Sequence, residues 1–316
     1  MFRSHKLTAL LAIFALAVFA APAPAQQQQS PEMQKIIEAE QLIKQGNPDG
    51  ALAIVGELLE EDPEFAFAYF IAGLAYEAKE NAGAAGDTKT EYCQNAYDNF
   101  LKAAEYQPGY GIAHRLASMH AADRGDLDAS WQQAIKAHQS GTDMNDAFAG
   151  LGSMSEKPAD LEQQLAVKRV FVAPMDTETF ENQGDESLGR SNATRNIREN
   201  SGSGNTDVAR RVLNEAVADI AQFQREANRQ FANSRAFGLV QRPEMADLIM
   251  VFEVDSIADS TRRRTRGFIK LLDAKSGEEA YRRRVEFADI ATRAELNRDF
   301  SQIMSIIEEW AAENLR

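Results

Sequence analysis

The chain is 316 residues long and 44% hydrophobic, with 34 basic against 48 acidic side chains and a net charge of −14. That length accommodates two domains, each with its own core, and that charge disfavours nucleic acid and anionic membrane surfaces as partners. A single cysteine, Cys93, excludes an internal disulfide.

Met1 to Ala25 reads as a secretory signal peptide. It has a basic start at Arg3 and Lys6, an apolar run from Leu7 to Ala21 and a small-residue exit at Ala23-Pro24-Ala25, with cleavage expected before Gln26. The run is shorter than the roughly 20 apolar residues that span a bilayer. Cys93 lies far from the exit, so no lipid attaches there. The expectation is a periplasmic protein that is neither membrane-embedded nor a lipoprotein. Without the signal, 32 basic and 48 acidic residues remain, a net −16. The imbalance lies in the front: Gln26 to Leu165 holds 9 basic and 23 acidic residues, whereas Ala166 onward holds 23 and 25, with 20 of the positive charges on arginine.

Residues 26–34 form a polar leader, expected to be disordered. Residues 35–140 carry helical spacing. Ile36, Ala39, Leu42 and Ile43 share a face, Gly46 to Gly50 breaks the helix, and Ala51, Leu52, Val55, Leu58 and Leu59 resume it until Asp62-Pro63. A stronger version follows in Tyr69, Ala72, Gly73, Tyr76, Ala96, Phe100, Ala103 and Pro108. A weaker third comprises Ala113, Leu116, Ala117, His120 and Ala129, with Gln133 and Lys136 where apolar residues are expected. Asn81 to Glu91, between the halves of the second unit, reads as an insertion.

These positions resemble the tetratricopeptide repeat, a helix-turn-helix unit of roughly 34 residues with small, aromatic and proline residues at fixed offsets. The resemblance implies three stacked hairpins whose first helices line a groove. Carried over by position, that groove presents Ile36, Glu40, Ile43, Phe70, Leu74, Glu77, His114 and Ser118, an apolar floor with carboxylates suited to an extended or helical peptide segment; the alternative reading is that its apolar residues are simply buried, by the chain's own back half among other candidates.

Residues 141–166, with Gly150, Gly152, Ser153, Ser155 and Pro158, read as a connector of broken helical turns ending in one short helix. The back half, residues 167–316, alternates between strand and helix patterns in the order β-α-β-β-β-β-α. Lys168 to Pro174 is a short strand, residues 177–206 a polar loop expected to be disordered, and Val208 to Phe231 a helix. Leu248 to Val254 is the most apolar strand, expected to be central with both faces covered. Thr265 to Asp273 and Glu279 to Phe287 flank a turn in which Gly277 supplies a positive φ, and Leu296 to Trp310 forms the last helix. The fold class is therefore helical-hairpin repeats followed by a mixed-sheet α/β domain. The segments Arg169 to Pro174, Ala246 to Met250 and Asp273 to Glu278 resemble a compact domain of bacterial envelope proteins, including the N-terminal domain of TolB. That resemblance implies protein binding rather than catalysis.

Chemistry-bearing residues are sparse. Arg262, Arg263, Arg264, Arg266, Arg282, Arg283 and Arg284 would gather at the open end of a hairpin as an anion-binding patch for a glycan or lipid headgroup. The competing reading is a charged sheet edge that resists aggregation. The spacings of His114, His120 and His138 are not the usual metal-ligand pattern, and no cysteine is expected to support them. The back half holds no histidine to act as a base. The sequence thus predicts no metal, no cofactor and no enzyme. It predicts an exported scaffold binding envelope proteins or their segments, with anion binding through the arginines as the alternative.

Overall fold

The computed structural model describes residues 30–174, 221–258, 264–288 and 292–315. The signal stretch, residues 26–29 of the leader, the loop at 177–206, residues 208–220 of the expected helix, and Arg262 and Arg263 lie outside them.

The front half folds as three helical hairpins. α1 (Pro31–Lys44) pairs with α2 (Pro48–Glu61), α3 (Ala66–Asn81) with α4 (Gly86–Tyr106), and α5 (Gly111–Asp123) with α6 (Leu127–Gln139). The polar leader is shorter than its composition suggests, because Ser30 caps α1 by accepting from the Met33 amide and Pro31 opens the helix. The expected insertion at Asn81 to Glu91 is largely absorbed into helix. α3 runs to Asn81 and α4 starts at Gly86, giving a 21-residue helix with a short tip between.

Small residues set the helix spacing. A Cβ placed on Gly73 would lie 2.5 Å from the Phe100 ring, so α3 and α4 reach this separation only because Gly73 has no side chain. Ala96 and Ala103, also in α4, are fully buried. The first two hairpins enclose an apolar cluster of Ile36, Val55, Leu58 and Ile71, and the second and third one of Phe70, Phe100 and Leu116. The third hairpin differs. Its helices meet through polar pairs, with the Ser118 and Ser130 hydroxyls each donating to the other's carbonyl at 2.9 and 2.8 Å, and His114 Nδ1 2.7 Å from Gln133 Oε1. Gln133 sits at an apolar position of the pattern because it has this partner.

The connector is more ordered than broken turns. α7 (Asn145–Met154) and α8 (Leu161–Leu165) close the open side of α6, with Phe148 stacked on Trp131 at 5.9 Å, and Leu151 and Leu161 buried beside Ile135. Trp131 Nε1 donates to Ser155 Oγ at 2.8 Å. The pair caps the repeat stack and covers an apolar face that would otherwise be exposed.

The back half is a five-stranded mixed sheet, ordered β2-β1-β3-β4-β5. β1 (Lys168–Val172) runs parallel to β2 (Phe237–Leu239) and to β3 (Leu248–Ala258), while β4 (Arg264–Asp273) and β5 (Glu279–Phe287) add antiparallel. A helix over residues 221–232 (α9) and α10 (Arg293–Asn314) cover one face. There Phe223 packs at 4.8–5.1 Å centroid distance against Phe252, Phe287 and Phe300. β3 is central, as its composition predicts, but among the described residues helices seal one of its faces. Leu248, Met250 and Phe252 are buried, whereas Ile249, Val251 and Glu253 are half-buried on the other side. Gly277 turns the β4–β5 hairpin with φ 73°.

The two halves meet along loops of the repeat stack. β2, an edge strand, is buried throughout because the C-terminal end of α6 lies against it. A Cβ on Gly238 would fall 2.5 Å from the Gln139 carbonyl oxygen. One on Gly141, at φ 81°, would fall 2.2 Å from the Met245 methyl. Gln241 donates to the Pro108 carbonyl, and Arg293 reaches Glu64 at 3.0 Å between the first two hairpins.

This junction generates a prediction. Gly238→Val forces β2 away from α6 and costs about 1–3 kcal/mol, as overpacking generally does, lowering the thermal midpoint and opening residues 141–166 to limited proteolysis. Arg293→Ala removes only an exposed ion pair and shifts the midpoint by an amount equivalent to less than about 1 kcal/mol. A native-like midpoint in Gly238→Val would show that the junction tolerates separation.

Candidate functional site

The first helices of the hairpins do not present all eight groove positions to solvent. Ile36 is fully buried in the first cluster, and Phe70 is covered by Phe100 and by Tyr110 from the loop before α5, at centroid distances of 5.6 and 5.0 Å. Glu77 and Ser118 are also buried, Ser118 turned inward to Ser130. These four are structural residues, and the groove reading is corrected for them. Phe70 cannot line a peptide site because the next hairpin already covers it. The half-buried remainder comprises Glu40, Ile43, Leu74 and His114. Ile43 and Leu74 form the rim of one apolar cluster, and Glu40 beside them is held by Lys44 at 2.6 Å. α1 and α3 pack chiefly on other repeat helices.

The arginines are dispersed by the sheet register. Arg266 lies opposite Glu286 and bonds it at 2.8 Å, while Arg282 lies opposite Lys270 and Arg284 opposite Phe268, on the sheet face away from the helices. Arg283 lies on the helix-facing side of the register, opposite Ile269, with its side chain exposed. The Arg282 guanidinium covers the Phe268 ring at 4.0 Å and approaches Glu253 at 4.0 Å; Glu253 also holds Lys270. Arg264 pairs across to Ala258. Among the described residues, Arg266 and Arg284 share a recess, and Glu286 lines it with them. Among the described arginines, 282–284 sits mid-strand, alternating across the sheet, and carboxylates offset much of its field, while Arg262 and Arg263 lie outside the described residues.

Stacking of the second and third hairpins produces a cluster that spacing along the sequence does not reveal. Glu80 at the end of α3, Cys93 in α4 and His120 in α5 bring their ligating atoms within 4.8 Å of one another. Cys93 Sγ is 3.5 Å from His120 Nδ1, and Glu80 Oε2 is 3.7 Å from the same nitrogen. Cys93 and His120 are buried. Burial pushes the Cys93 thiol up to about 11, with the Glu80 and Asp123 charges adding to it. A neutral thiol is a poor nucleophile. The available signal was positional: Cys93 precedes the interlock residue Ala96, and His120 follows Ala117, by one helical turn each.

No protein-family model matches the chain, and no curated protein matches it. Among solved structures the chain is similar to human IFIT1, in a dimer with PPP-AAAA, at 16% identity and a TM-score of 0.35, covering 65% of this chain and 47% of that one. It is also similar to TTC0263, a thermophilic TPR protein of Thermus thermophilus, at 15% identity and a TM-score of 0.23, covering 43% of this chain and 97% of that one. The chain thus spans about half the length of IFIT1. Among the described residues no helix is long and apolar enough to cross a membrane.

His114 supplies a pH prediction. Burial lowers its pKa from 6.5 to about 4, against the opposing effect of the hydrogen bond that its Nδ1 makes to Gln133 Oε1. Between those values the unfolded chain takes up a proton that the folded chain refuses. The contribution is therefore complete above pH 6.5 and lost as pH falls towards 4, at most about 3 kcal/mol. Thermal unfolding between pH 7 and 4 reads it, and His114→Asn flattens the profile. An unchanged slope would mean that other groups carry the acid sensitivity.

Proposed function

We infer that the chain is an exported adaptor of the bacterial envelope that binds protein segments through its repeat half. The observation that carries this reading is the half-exposed rim of Ile43 and Leu74, beside Glu40, on a stack of helical hairpins within the acidic half of the chain. Apolar contacts along first helices flanked by carboxylates suit a segment carrying both aliphatic and basic side chains, whose approach the front half's net −14 would accelerate at low salt. The α/β half, which resembles the TolB N-terminal domain, would serve as a second interaction domain. Its docking on inter-hairpin loops supports a fixed relation between the two. The N-terminal signal pattern supports export, and the absence of sequence-adjacent lipid chemistry supports a periplasmic protein rather than a lipoprotein. The arginine patch gains no comparable support, since Glu286 and Glu253 occupy its neighbourhood.

The test uses a peptide array spanning envelope proteins. Binding is expected to concentrate on basic, aliphatic segments, to weaken with salt, and to be lost in Ile43→Asp and Leu74→Asp while circular dichroism stays native. Binding that survives both substitutions, or prefers acidic peptides, would overturn this reading. Phe70→Ala is not a usable probe, because it empties a core position and should cost about 3–5 kcal/mol. N-terminal sequencing of protein recovered from the periplasm should begin at Gln26, and retention in the cytoplasm would refute export.

A further inference from the structure

We propose that Glu80, Cys93 and His120 form a binding site for a zinc-class divalent cation, pinning the second hairpin of the repeat stack to the third. The ligand set is mixed sulfur, nitrogen and oxygen, which suits Zn2+ and excludes the all-oxygen preference of Mg2+ and Ca2+. The spacing also fits. With Zn–S of about 2.3 Å and Zn–N and Zn–O of about 2.0–2.2 Å, tetrahedral geometry sets neighbouring ligand atoms about 3.4–3.6 Å apart. Sγ to Nδ1 is 3.5 Å and Nδ1 to Oε2 is 3.7 Å, so two of the three edges need almost no movement.

Charge balance favours the same ligand. Thiolate, carboxylate and neutral imidazole together offset a divalent cation, leaving a buried site with no formal net charge. Cys93 binds as thiolate, its proton leaving to solvent, and a water completes the fourth position. Glu80 uses Oε2 towards His120, while its other oxygen lies 4.0 Å from Lys89. The short tip between α3 and α4 is exposed beside Glu80, which gives an entry path. Because the ligands come from α3, α4 and α5, occupancy would crosslink two hairpins, stabilising the stack where α4 is longest.

The competing account is a buried hydrogen-bonded trio with no metal affinity. Full-length protein stripped with chelator would be titrated with Co2+ and then Zn2+. One equivalent of Co2+ with a thiolate-to-cobalt charge-transfer band in the near ultraviolet, displaced by Zn2+, is expected. Zn2+ at a hundredfold excess over its Kd should raise the thermal midpoint by about 5–10 °C. Cys93→Ser should abolish the band. Glu80→Gln, at a more accessible ligand, should keep the native circular dichroism and weaken Zn2+ by more than about tenfold, whereas His138→Gln should change nothing. Cobalt bound without the band, or a zinc-induced shift undiminished in Glu80→Gln, would overturn the site.

Discussion

The Phe100 ring fills the space that Gly73 leaves empty, and much of the repeat half follows from that contact. It fixes the α3–α4 separation, since any side chain at 73 would meet the ring at 2.5 Å. The same ring packs against Phe70 and stacks on His120 at 5.7 Å. One aromatic residue therefore locks its own hairpin and sets where the next hairpin's histidine lies. His120 meets Cys93 because α5 is seated on Phe100.

The interlock was legible in the sequence because it depends on residue size at fixed offsets. Gly73, Ala96, Phe100 and Ala103 occupy the places their pattern predicts. Exposure was not legible to the same degree. Ile36 and Phe70 are apolar in either a groove or a core, and which one holds depends on what the next hairpin places over them. Here Tyr110 swings from the loop before α5 onto Phe70. The polar pairs of the third hairpin were unreadable for a related reason. Gln133 looks like a defect until His114, nineteen residues earlier, is seen to bond it.

The cluster of Glu80, Cys93 and His120 shows the same limit more sharply. Cys93 and His120 are 27 residues apart on different hairpins, so no short spacing links them. In a zinc motif carried on a single helix the ligands lie one turn apart and the chain itself encodes the proximity. In a repeat stack proximity is encoded by the interlock, and ligands can sit one turn from small or aromatic positions on facing helices. Reading such arrays for titratable residues beside interlock positions would have found Cys93 and His120 together.

The sheet domain solves its two edges by opposite means, and this bears on how the halves work together. β5 carries Glu279, Arg282, Arg283, Arg284 and Glu286, a run of charge that deters pairing with another strand. β2 is short, apolar and buried, so its edge must be covered, and α6 covers it at the close approach allowed by Gly238. Separating the halves would expose the β2 edge and its backbone groups, a costly surface in water. The repeat stack is thus a structural complement of the sheet as well as its neighbour in sequence. Motion between the halves on the scale of a hinge would break that cover, which argues for a fixed relation between the repeat stack and the α/β domain.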